Sequence, residues 1–109
     1  MTLDEAIDEF LIYCSSVRGY SKNTVSAYQS DLKRFQLMLK NKKIEQIEVK
    51  DIATFLDSKN EKSRSLASRA RVVATIRSMI KFLQSEYENT SLDLSELALP
   101  KVPQAMAKA

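Results

Sequence analysis

Histidine is absent from this 109-residue chain, cysteine and glycine occur once each, and proline twice. Without histidine there is no Cys/His metal site and no imidazole for general base work. The single cysteine, Cys14, forbids an internal disulfide and reads as a small apolar residue on the buried side of its helix. So little glycine and proline cannot supply the turns of a multi-stranded β fold. No apolar run approaches the length of a membrane span, and the acidic opening "MTLDEAIDEF" lacks the basic start and apolar block of a signal peptide. A cytoplasmic protein is therefore expected. There is no glycine-rich phosphate loop. The acids fall at helix starts or in loops, not in buried pairs that would split two pKa values. Tyr13, Tyr20, Tyr28 and Tyr87 each have a packing or helix-end explanation. No cofactor, metal or small-molecule substrate is expected, and the chain by itself is not expected to be an enzyme.

What is abundant is helix-forming material. Apolar residues make up 44% of the chain, enough for one modest core, and one all-α domain follows. Thr2 and Glu5 form a capping box ahead of Leu3, Ile7, Phe10, Leu11 and Cys14, which predicts a first helix over 3–17. Gly19 supplies a left-handed turn and Ser21 caps a second helix over 22–40, with Val25, Tyr28, Leu32, Phe35 and Leu39 inward. A shorter third helix over 49–58 turns Ile52, Phe55 and Leu56 inward. The polar "KNEKSR" then connects to Ser65, the cap of a long fourth helix over 66–87. On that helix Leu66, Val73, Ile76, Ile80, Leu83 and Tyr87 face the core, and Arg64, Ser68, Arg71, Thr75 and Ser78 line the other side. Phe82 ends that second stripe, where the tail is its expected partner. A short fifth helix is expected over 92–98. Residues 1–99 form the domain, and 100–109, "PKVPQAMAKA", read as a linker towards another one.

The net charge of +3 hides a strong segregation. Residues 1–17 carry four acids and no base, whereas 18–43 carry seven bases and one acid, Asp31. Residues 44–61 return to five acids against two bases, and 62–82 hold six bases and no acid. Two basic blocks far apart in sequence form one positive surface if the second and fourth helices meet. Their polar faces mix Lys and Arg with Ser, Thr, Asn and Gln, which suits contacts to phosphates and base edges. Serine-capped helix starts at Ser21 and Ser65 add backbone N–H groups with the same preference. Leu37, stranded on the polar side of the second helix, calls for a partner. Arg69 falls inside the apolar arc of the fourth.

"RGYSKNTVSAYQSDLKRFQLML" resembles the signature "RG-S--T---Y--DL--F--FL" that opens the N-terminal domain of tyrosine recombinases of the phage-integrase and Xer type. "SLASRARVVATIRSMIKFL" resembles that family's "S--S--R-LSALR-FF-FL", "DIATFL" its third helix, and "LALPKVP" its junction with the catalytic domain. The resemblance covers nearly the whole chain. It implies a core-binding, SAM-like bundle of four to five helices that forms half of a clamp on a DNA recombination site. The second and fourth helices would cross near the major groove. The family's catalytic residues belong to a C-terminal domain, so no catalytic role carries over to any residue here. Tyr20, Val25, Val49, Met79 and Ile80 depart from the family's usual residues at packing positions.

The leading expectation is thus a DNA-binding domain of a Xer-like recombinase acting in chromosome dimer resolution. Its partners would be double-stranded DNA and other recombinase protomers. Lys22, Ser26, Lys33, Ser65, Ser68 and Arg71 are the expected contacts, with Arg18, Arg34, Arg64 and Arg69 in support. Replacing Arg71 by Glu is expected to weaken binding without unfolding the bundle. The alternatives are the same domain from a phage or transposon integrase, or a helical protein–protein module without nucleic-acid affinity. The latter would use Leu37 and the Phe82 end as its surface.

Overall fold

A computed structural model describes residues 1–40 and 42–86. Five helices follow in order: α1 Leu3–Ser16, α2 Lys22–Leu39, α3 Val49–Leu56, α4 Lys59–Lys62 and α5 Leu66–Glu86, with a 3-10 turn at Ile44–Gln46 ahead of α3. The expected all-α bundle is what forms, and the long helix anticipated as the fourth is α5. The expected fifth helix over 92–98 and the linker over 100–109 lie outside the described residues, as does Tyr87.

Local chemistry sets most of the helix ends. The Thr2 amide donates to Glu5 Oε1 at 2.9 Å and the Glu5 amide returns to Thr2 Oγ1 at 3.3 Å, closing the capping box of α1. Gly19 sits at φ +67°, where a side chain would be strained. The amides of Arg18 and Tyr20 beside it reach back to the carbonyls of Tyr13 and Cys14. Ser21 then caps α2, its Oγ accepting from the Thr24 amide at 3.2 Å. The helix ends on Lys40, a non-glycine residue held in the left-handed region at φ 53°. Ser65 caps α5 through the Ser68 amide at 3.2 Å.

The core lies where α1, α2 and α5 meet, with α3 closing one end through Ile52 and Phe55. Phe10 of α1 stacks over Tyr28 at 6.4 Å, and Phe35 of α2 meets Phe55 edge-on at 5.1 Å. Phe82 contributes to this core: its ring lies 4.7 Å from Tyr13 and 5.8 Å from Phe10, so α1 is its partner among the described residues. An antiparallel bridge between Thr2 and Lys43 ties the start of the chain to the α2–α3 connection.

Two expectations are corrected. "KNEKSR" is not plain loop, because Lys59–Lys62 forms the short α4 and buries Glu61. The faces of α5 are also turned. Val72, Thr75 and Met79 join Val73, Ile76, Ile80 and Leu83 in the interior, whereas Leu66 is exposed. Packed against both α1 and α2, α5 buries a wider arc than a one-sided amphipathic helix would. Thr75 is satisfied by donating to the Arg71 carbonyl at 2.7 Å. The outward side carries Ala67, Ala74, Arg77, Ser78 and Lys81.

Candidate nucleic-acid interface

The α2 segment contains one acid, Asp31, and α5 contains one, Glu86, at its last position. Asp31 is fully buried, with a side-chain exposure of 0%. Along these two helices the outward charges before Glu86 are therefore all positive. Lys22, Ser26 and Lys33 are exposed on α2, where spacings of four and seven residues place them in one row. On and beside α5, Ser65 is exposed, while Arg64, Ser68, Arg69 and Arg71 are half-buried. Arg18 stands exposed at the α1–α2 corner, its guanidinium 5.3 Å from the centre of the Tyr20 ring. A hydrogen bond with Tyr13 raises the pKa of Arg18 further.

Buried Asp31 is the centre of a four-residue network that joins three helices. Arg71 grips it side-on, Nε to Oδ2 at 2.8 Å and Nη2 to Oδ1 at 2.9 Å. Arg34 donates from Nη2 to the same Oδ1 at 3.0 Å and from Nε to Glu61 Oε2 on α4 at 2.8 Å. Arg34 Nη1 completes its set on the Ser30 carbonyl at 3.3 Å. The Asp31 bond pushes the pKa of Arg71 up against the pull of burial. Burial pulls on Arg34 too, and Glu61 and Asp31 outweigh it and raise its pKa. Two carboxylates and two guanidiniums cancel in charge, so this cluster binds helix to helix and adds no net charge to the face.

Arg34, expected as a solvent-facing cation, is thus engaged inside the protein, and Arg71 is engaged along one edge while its side chain stays 37% exposed. Replacing Arg71 by Glu would set a second carboxylate against buried Asp31. That geometry argues for a loss of stability in this variant rather than a spared fold. Sequence reasoning missed Asp31 and Glu61 as members of the site. The signal available was that Asp31 is the lone acid of a basic block. Ser65 and Ser68 are occupied as a cap pair, with Ser65 Oγ 3.1 Å from Ser68 Oγ. Arg64 Nε is buried with no hydrogen-bond partner among the described residues.

Residues 7–87 match the family model described as phage integrase, N-terminal SAM-like domain. The chain belongs to this family. Among curated proteins it is similar to a tyrosine recombinase XerD of Staphylococcus haemolyticus, with 36% identity over 87 residues, covering 77% of this chain and 30% of the relative. A tyrosine recombinase XerC of Listeria monocytogenes is 34% identical over 103 residues, covering 85% of this chain and 34% of the relative. A XerC of Herpetosiphon aurantiacus is 28% identical over 110 residues, covering 98% of this chain and 36% of the relative. The chain spans about a third of the length of these relatives. No solved structure matches it significantly. The SAM-like bundle implied by the sequence motifs is therefore the family's own. Among the described residues no helix is long and apolar enough to cross a membrane, and no group of three or more acids or cysteines is placed to hold a metal ion.

Proposed function

We propose that this chain is the DNA-binding domain of a Xer-type site-specific tyrosine recombinase, and that it grips duplex DNA through the outward faces of α2 and α5. The observation that carries this reading is the one-signed charge of those faces. Lys22 and Lys33 on α2 and Arg77 and Lys81 on α5 stand out to solvent, and the acid within α2 is fully buried. Lys22, Ser26, Lys33, Ser65, Ser68 and Arg71 make the principal contacts. Arg18, Arg64 and Arg69 add to the field, and Arg34 acts from inside through its hold on Asp31. Residues 1–99 are the binding domain and 100–109 the linker to a catalytic domain, where strand cleavage and rejoining occur. The chain itself supplies no catalytic residue. Other recombinase protomers on the same DNA are its protein partners, and chromosome dimer resolution in the cytoplasm is its setting.

Fluorescence anisotropy of a labelled duplex titrated at several salt concentrations tests this reading. Binding should weaken steeply with salt, and K22E/K33E should reduce the log–log slope by about two contacts, roughly 0.9 each. Absence of binding at low salt would overturn it. A second reading, a helical protein–protein module, is favoured by one observation. Leu37 and Met38 are 66% and 44% exposed side by side on α2. It predicts a concentration-dependent oligomer in sedimentation that L37E abolishes, and no nucleic-acid affinity.

A further inference from the structure

Asp31 removes one positive charge from a helix pair that otherwise concentrates positive charge, so its presence needs a reason. The two arginines it holds are not held alike. Arg34 has bonds from all three of its nitrogens and a side chain 19% exposed. Arg71 gives Asp31 only Nε and Nη2, and its side chain is 37% exposed. The side-on fork leaves Nη1, with its two N–H groups, as the edge not engaged with Asp31. We propose that Asp31 is a positioning residue for the duplex contact. Its carboxylate fixes the plane of the Arg71 guanidinium and leaves the Nη1 edge for a phosphate oxygen. Arg34, fastened to Glu61 on α4, is the buttress that keeps Asp31 in place and makes no phosphate bond. An arginine already fixed in the free protein loses little rotamer freedom when it meets a phosphate, so each bond costs less to form. This inference rests on the duplex-binding reading above.

The sign of one measurement separates positioning from simple electrostatics. Removing the Asp31 charge makes the domain more positive, which alone would tighten binding to a polyanion. Positioning predicts the opposite. In salt-dependent anisotropy titrations of the full chain with a labelled duplex, D31N should bind about two- to tenfold more weakly at low salt, because an unfixed Arg71 no longer holds its phosphate oxygen. Its salt slope should fall by about 0.9, one phosphate contact. The double variant D31N/R71Q should bind no more weakly than R71Q alone, because Asp31 acts through Arg71. A purely structural role for Asp31 would lower the melting temperature and leave the slope of the folded protein unchanged. Should D31N fail to fold by circular dichroism, D31E takes its place. It keeps the net charge but moves the carboxylate by one methylene and spoils the fork to Arg71, so it too should bind several-fold more weakly. Equal or tighter binding by folded D31N, or by D31E, overturns the proposal while wild-type binding leaves the duplex reading standing. Failure of the wild type to bind at low salt overturns both, and is seen before any variant is made.

Discussion

Lys42 and Asp51 meet at 3.0 Å across the connection between α2 and α3, and the same carboxylate oxygen accepts the Glu48 amide at 2.8 Å. Burial works against ionisation at Asp51. The Glu48 amide and the Lys42 ammonium outweigh it and hold the carboxyl below its ordinary 3.8. A depressed folded pKa gives stability that is complete above the unfolded value and is lost as pH falls through the folded one. D51N keeps an oxygen for the Glu48 amide but loses the charge facing Lys42, so it should cost up to about 1 kcal/mol in urea unfolding at neutral pH, and the gap from wild type should close below pH 3.8. Glu61 answers to a different balance. With its side chain 4% exposed and Arg34 at 2.8 Å, E61Q leaves a guanidinium short of one buried counter-charge. A loss of about 3 kcal/mol is expected in the same assay. Neither Asp31 nor Glu61 was legible as an interior residue. A carboxylate is read as solvent-facing until its partners are known, and besides Arg34 one turn on, Asp31 is held by Arg71, 40 positions away on another helix.

Helix existence, by contrast, was written locally. Thr2, Ser21 and Ser65 each carry the side-chain oxygen that satisfies an orphan amide, and the structure starts α1, α2 and α5 directly after them. The α4 helix escaped because four residues show no period, and its one anchor is the charged Glu61. The tilt of the α5 faces escaped because periodicity gives the direction of an apolar stripe but not its width, and the width is set by having neighbours on two sides. Two outcomes belong to this scale. M79A should destabilise by about 2–5 kcal/mol, since Met79 is 1% exposed in the middle of α5. K40G should stabilise by about 0.5–1 kcal/mol, seen as a higher urea midpoint with unchanged m-value, because glycine takes the left-handed end of α2 without strain.

Among the described residues the long helices part acids from bases: Asp4, Asp8 and Glu9 are exposed on α1, while Lys22, Lys33, Arg77 and Lys81 are exposed on α2 and α5. This polarity was readable from charge blocks alone, since helices keep sequence neighbours together in space. What needed the structure was the cancellation of Arg34 and Arg71 within the network, which shifts the free positive charge towards Lys22, Lys33, Arg77 and Lys81. Neutralising α1 with D8N/E9Q should change duplex affinity far less than K33E does, measured by anisotropy at matched salt. The start of the chain adds a different kind of coupling. The Leu3 amide donates to the Lys42 carbonyl and the Ile44 amide to the Met1 carbonyl, both at 3.0 Å, so two segments some forty residues apart share one pair of bonds. Neither amide can trade its proton for deuterium unless the other's clasp loosens too. In native-state exchange Leu3 and Ile44 should slow together and quicken together, a single unit of opening that joins the head of α1 to the turn before α3.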